Sequence, residues 1–182
     1  VDVLAQYCDY THGYPANDGK ERFMNFFRYT FPELVFTDRG QRDDSDVYWH
    51  VNNTLLDGQR NDIEIYRCRN LIDDTPLYQA YLNKVNAIKT KYQDELLLGR
   101  YNDVLGFFNS NAAADARAFV GERRIAVVVA NQNRAASVVK TRISVPGARL
   151  VDWSVLGGAE VSKTGSVRLG QYDLAVLIFE KE

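Results

Sequence analysis

The sequence predicts an α/β segment followed by an all-β domain. Three observations carry this. Up to about residue 108, short apolar runs alternate with stretches of helical period. Those short runs end in polar or charged residues on their C-terminal side. After "NSNAAADA" (Asn109–Ala116), nearly everything is strand and turn, with turn signals every 8 to 12 residues. A β–α–β order of the first kind belongs to parallel sheets, whose ligands sit at the C-terminal strand edge. Regular short strands of the second kind predict a small antiparallel β-sandwich.

The elements follow in order. Val1–Tyr7 is expected as a buried strand, ending in the cluster Asp9, Tyr10, Thr11 and His12. A helix is expected next, with Asp18 as N-cap and Glu21 as its capping-box partner. Phe23, Phe26 and Phe27 fall on one face of it, and Pro32 stops it. "ELVFT" (Glu33–Thr37) is a short strand running into Asp38 and Arg39. The acidic loop "QRDDSD" leads to "VYWHV" (Val47–Val51), another strand-like piece. A long helix then opens at Pro76, capped by Thr75 or Asp74. Tyr78, Tyr81, Leu82, Val85, Ile88 and Tyr92 form its apolar stripe, and Gly99 is a natural stop.

In the second half, Arg124–Gln132 is a strand buried on both faces. In the next run Val139, Thr141, Ile143 and Val145 face one way, while Lys140, Arg142 and Ser144 face the other. Pro146-Gly147 suits a type II turn. Val151, Trp153 and Val155 are expected to point inward, and the last strand runs from Leu174 to Glu180.

Composition narrows the function. The 182 residues carry a formal net charge of -2, which gives no electrostatic case for nucleic acid or anionic membranes as partners. No apolar run approaches the roughly 18–20 residues that span a bilayer. The chain starts at Val1 without a signal-peptide core, so a mature, trimmed or excised chain is expected. Cys8 and Cys68 leave one disulfide or two reduced thiols open. There is no G-x-S-x-G elbow, no Walker loop and no G-x-G-x-x-G. Two distant histidines are too few for a metal site, so neither a metal nor another cofactor is expected.

"RYTFPELVFTDRG", "NNTLLDGQRND", "PLYQAYLNKVNAIKTKYQDELLLGRYND" and the closing "VRLGQYDLAVLIFEK" together resemble the C-terminal part of bacterial (β/α)8-barrel glycoside hydrolases. Those enzymes carry an all-β domain after the barrel. The resemblance covers nearly the whole chain and is architectural. It implies the last two or three βα units of a partial (β/α)8 (TIM) barrel over residues 1–108, and a β-sandwich over residues 115–182. A full barrel takes about 250 residues. The rest of the barrel would therefore be a partner, as another chain or a removed N-terminal segment, and this chain alone would be inactive. The resemblance also implies a carbohydrate substrate and a periplasmic or secreted enzyme.

Such enzymes use two carboxyl groups flanking the scissile bond. Asp38 is the first candidate, because it directly follows an apolar strand at the expected catalytic edge; Asp9 is the second. Asp57, Asp62 and Glu64 lie further on. His12, Arg39, Trp49, His50 and Asn52 are candidate substrate contacts: imidazoles and an amide for sugar hydroxyls, a guanidinium for a carboxylate, an indole for a sugar face. Against these stand plainer roles: turn aspartates, a satisfied rim histidine, and a solvated loop for Asp43–Asp46. Tyr78, Tyr81 and Tyr92 are expected to be packing residues. The rival functions are a non-catalytic carbohydrate-binding module and a structural domain without a ligand.

Overall fold

The structure is a computed structural model that describes residues 10–13, 30–31, 34–38, 41–63, 65 and 69–182, the first four of these by backbone alone. The expected strand Val1–Tyr7, the helix capped by Asp18, and Asp9, Arg39, Glu64, Cys8 and Cys68 all lie outside the described residues. The chain divides into two compact units, Val1–Asn86 and Ala87–Glu182.

In the first unit, β1 (Tyr10–Gly13), β2 (Val35–Asp38) and β3 (Arg60–Asn61) form a parallel sheet in that order. The register aligns Gly13 with Asp38, and Asp38 with Asn61. Helix α1 (Val47–Leu56) lies in the chain between β2 and β3, giving β–α–β connectivity. Leu34 and Phe36 are buried, with Phe31 packed against them.

Helix α1 corrects the expectation of a strand at Val47–Val51. Valine and aromatic side chains favour strands, but here the helix is buried nearly all round. Val47, Trp49, Val51 and the run Asn52–Leu56 are all inaccessible. Only Tyr48 and His50 of this helix reach the surface, so no polar stripe reveals its 3.6-residue period in the sequence.

Helix α2 (Pro76–Lys91) begins where the sequence placed it. The predicted stripe is buried, with Tyr78 and Tyr92 at 1% exposure and Val85 at 0%. The three tyrosines are therefore packing residues. Tyr81 meets Tyr48 edge-on at 4.8 Å and donates its hydroxyl proton to Asn52 Oδ1 at 2.7 Å. Helix α2 ends before Gly99 and is followed by the short helix α3 (Gln93–Leu96).

The second unit is a β-sandwich. One sheet has the order β4-β6-β7-β12-β9 and the other β10-β11-β8-β5, with every pairing antiparallel. The strands are β4 (Arg100–Asn102), β5 (Phe108–Asn109), β6 (Asp115–Val120), β7 (Arg124–Ala130), β8 (Val139–Ser144), β9 (Ala148–Leu156), β10 (Glu160–Val161), β11 (Ser166–Leu169) and β12 (Leu174–Lys181). β4 lies before residue 109 and β5 begins at Phe108, so the sheets reach further back than the change of sequence pattern.

Between the sheets, Val127, Val129, Ala175, Leu177 and Phe179 pack against Val139, Ile143, Val145, Val167 and Leu169. Each such burial stabilises by about 1.5–3 kcal/mol before entropy is counted. The other face of the larger sheet is dry too: Val128, Val176 and Ile178 are fully buried. β7 and β12 are thus buried on both sides, as their unbroken apolar runs require. Helix α3 packs against β6 and β7, and Glu95 on it is held by Arg124 at 2.8 Å.

Strand β9 departs from the expected alternation. Trp153 and Val155 pair with Leu177 and Ala175, so they share the core-facing side. Val151 does not: the register shifts between Ile178 and Phe179, and Val151 is the extra residue of a β-bulge. Because β9 is an edge strand, Val155 is still 40% exposed.

Candidate active site

The C-terminal edge of the parallel sheet gathers Gly13, Asp38 and Asn61, with Asp62 one residue beyond β3. Asp62 extends the pairing, since its N–H donates to the Asp38 carbonyl at 2.8 Å. Two carboxylates thus follow neighbouring strands at one edge. The strand carrying Asp38 forms because "VFT" is β-branched and aromatic, and Phe36, Thr37 and Asp38 are all buried.

Asp38 is only 6% exposed. The Thr54 hydroxyl, on helix α1, donates to Asp38 Oδ2 at 2.5 Å. The Thr54 hydroxyl also lies 3.0 Å from the His50 carbonyl one turn back, so one proton serves two acceptors. Helix α1 therefore delivers a donor to the strand-end carboxylate. Tyr78, at the start of α2, senses the same charges. Burial pushes its hydroxyl well above the ordinary tyrosine range, and the negative Asp38 and Asp62 push it further. Tyr78 stays neutral and is a donor, not a base, at any moderate pH.

The acidic loop is more structured than a solvated run. Asp43 accepts the Ser45 N–H at 2.8 Å and also its hydroxyl. The Ser45 hydroxyl, then the Ser45 N–H, hold the Asp43 carboxyl below its usual range; burial opposes them, and His50 adds to the lowering. Asp44 accepts the N–H groups of Leu77 at 3.2 Å and Tyr78 at 2.9 Å. It caps helix α2 from 34 residues away. The expected local caps do other work: Asp74 accepts the Leu71 N–H, and the Thr75 hydroxyl donates to the Ile72 carbonyl.

The other sequence-derived candidates are placed as follows. His12 lies on β1 in register with Thr37, one residue before the edge. Trp49, His50 and Asn52 lie on α1 and not at a strand end. Trp49 is 8% exposed and meets the His50 ring edge-on at 5.1 Å. Asn52 is fully buried and engaged by Tyr81. His50 is partly exposed. Trp49 and Asn52 therefore support the helix from inside. Among the described residues no three His, Cys, Asp or Glu side chains converge to hold a metal, and no helix is long and apolar enough to cross a membrane.

Sequence reasoning did not single out Thr54, Tyr78 or Asp44 as parts of this constellation. Thr54 carries no local signal, because its partner is 16 residues away on another element. Asp62 stands in the sequence only as one of several carboxylates further on, because the two-residue polar strand before it, Arg60–Asn61, carries no apolar run to mark a strand end.

Among solved structures, the chain is similar to the "Crystal structure of alpha-amylase from H.orenii", with a TM-score of 0.53 and 10% sequence identity. The match covers 100% of this chain and 51% of that one, so the chain spans about half the length of the structure it matches. At this identity the likeness concerns fold alone: the chain is sheet-rich and resembles part of an alpha-amylase fold. No protein-family model matches the sequence, and no curated protein sequence does.

Proposed function

We propose that the chain is the C-terminal portion of a glycoside hydrolase, with the first unit supplying the last βα units of a (β/α)8 barrel. The observation that carries this reading is the buried Asp38 at the end of a parallel strand, with Asp62 following the neighbouring strand. Parallel βα units present their loops at that edge, and glycosidic cleavage needs carboxyl groups there. The fold likeness to half of an α-amylase chain supports the same reading.

In this reading Asp38 is one of the two carboxyl groups that act on the glycosidic oxygen and the anomeric carbon. The hydrogen bond from Thr54 fixes the position of Asp38 Oδ2 at the strand end. His12 on β1 lies one residue before the same edge, whereas Asp9 precedes β1 in the chain, on the side away from that edge, so Asp9 is not carried into this reading. His50 is the sequence-derived candidate on α1 that keeps surface to meet a sugar hydroxyl. The second unit has a structural role.

The test is the native mass of the purified particle, with denatured masses of every chain in it, followed by a panel of aryl glycosides. A particle holding a companion of barrel size that hydrolyses one of them supports the reading. A monomer of 20.7 kDa that folds alone and binds glycans without hydrolysis overturns it in favour of a binding module.

A further inference from the structure

We propose that the outward face of the four-stranded sheet in the second unit docks a carboxylate-bearing polysaccharide, a polyuronate chain. This lies beyond hydrolysis at the first unit and does not depend on it.

The face is set by register. Val139, Thr141 and Ile143 on β8, with Val167 and Leu169 on β11, turn into the sandwich. Lys140, Arg142 and Arg168 therefore turn out, and all are exposed. Lys140 pairs across the strands with Arg168, and Arg142 with Ser166. Cross-strand neighbours lie about 5 Å apart and alternate residues about 7 Å apart. Three cations thus form one compact cluster on a chain whose net charge is -2.

One carboxylate shares the face. Glu160 on β10 sits opposite Arg168, with a 3.5 Å ion pair between exposed side chains. Such a pair contributes little and opens readily. Lys140 and Arg142 have no ion pair among the described residues. Like charges stacked across strands are destabilising unless something answers them. An external anion does so.

The shape fits a chain-like ligand. These residues line a shallow groove of about 590 Å³. Ser162, Thr164 and Ser166 form a string of hydroxyls at one end, linked at 2.9 and 3.5 Å. Phe108, on the edge strand β5 opposite Ser144, stands 57% exposed on the same sheet. Guanidinium forks match carboxylates bidentately, hydroxyls match sugar hydroxyls, and a ring matches a sugar face. Nucleic acid is the poorer occupant. Phosphate-backbone binding draws its affinity from neutralising many phosphates along the duplex, and three clustered cations offer few such contacts.

The test is affinity electrophoresis of the full chain through gels containing polygalacturonate, soluble starch or DNA duplex, at low and moderate salt. We expect retardation by polygalacturonate alone, weakened by salt. The double variant Lys140→Ser/Arg142→Ser changes exposed side chains only. It should weaken binding by about tenfold for each lost contact, with an unchanged circular dichroism spectrum. Asp38→Asn should leave retardation intact, which separates this surface from the proposed active site. Equal mobility with and without polygalacturonate overturns the proposal. So does retardation that survives the double variant, or that DNA or starch matches.

Discussion

The Thr54 hydroxyl donates to Asp38 Oδ2 at 2.5 Å, joining helix α1 to the end of strand β2. Both residues are buried, at 2% and 6% exposure. A buried carboxylate keeps its charge at low cost only when such donors face it. Removing the donor should therefore be felt in stability and, if Asp38 reacts, in turnover. Thr54→Val should cost about 1–3 kcal/mol in denaturant unfolding, while Thr54→Ser restores most of it.

Asp44 is the second case. It caps α2 through the N–H groups of Leu77 and Tyr78. Asp44→Ala should lower stability by about 1 kcal/mol, and Asp44→Asn by less, since an amide oxygen still accepts. Asp43→Ala, which removes only the local bonds from the Ser45 N–H and hydroxyl on an exposed turn, should cost less than Asp44→Ala. Urea midpoints of the three variants decide this.

A pH dependence follows from Asp152. Burial alone would raise its carboxyl, but Lys91 at 2.9 Å, the Trp153 N–H and the Tyr92 hydroxyl outweigh it, leaving the group below its ordinary value of 3.8. A carboxyl depressed by folding contributes stability above its unfolded value and loses it as pH falls through the folded one. Lys91 is raised above 10.5, first by Tyr92 and then by Asp152, so its share is lost only at strongly alkaline pH. The stability gap between the parent chain and Asp152→Asn should be flat from pH 5 to 9 and close on acidification. Both side chains are nearly half exposed, so the gap should be under about 1 kcal/mol.

Two glycines give a matched comparison. Gly147 and Gly157 both hold positive φ, at 65° and 73°. A Cβ on Gly147 meets nothing within 4 Å, whereas one on Gly157 falls 2.0 Å from Asp173 Oδ1. That carboxylate is already fixed, accepting the N–H groups of Gly158 at 2.8 Å and Gly170 at 2.7 Å. Gly147→Ala should cost the backbone strain alone, about 1–2 kcal/mol. Gly157→Ala should cost clearly more, because it also displaces Asp173. Thermal unfolding of the two variants measures the difference.

What the sequence made legible was periodic. The stripe from Tyr78 to Tyr92, the alternation from Val139 to Val145 and the turn at Pro146-Gly147 all depend on local pattern, and each is present. Asp38 at a strand end was legible because an apolar run stops there. What was hidden was non-local. Helix α1 has no polar face to betray its period, the bulge at Val151 depends on the partner strand, and the cap of α2 comes from Asp44 across 34 residues. β4 and β5 are three and two residues long, too short to show alternation. Of the constellation around Asp38, the sequence offered the acid itself but not Thr54 or Tyr78, since tertiary contacts chose them.

The most direct measurement is turnover of a responsive aryl glycoside by the complete enzyme carrying Asp38→Asn, beside the parent protein. Asparagine is nearly isosteric and still accepts the Thr54 hydroxyl. The account predicts a fall in kcat of about 10²–10⁴ with the fold intact by circular dichroism. Unchanged kcat in a folded Asp38→Asn enzyme would contradict it and remove Asp38 from the chemistry.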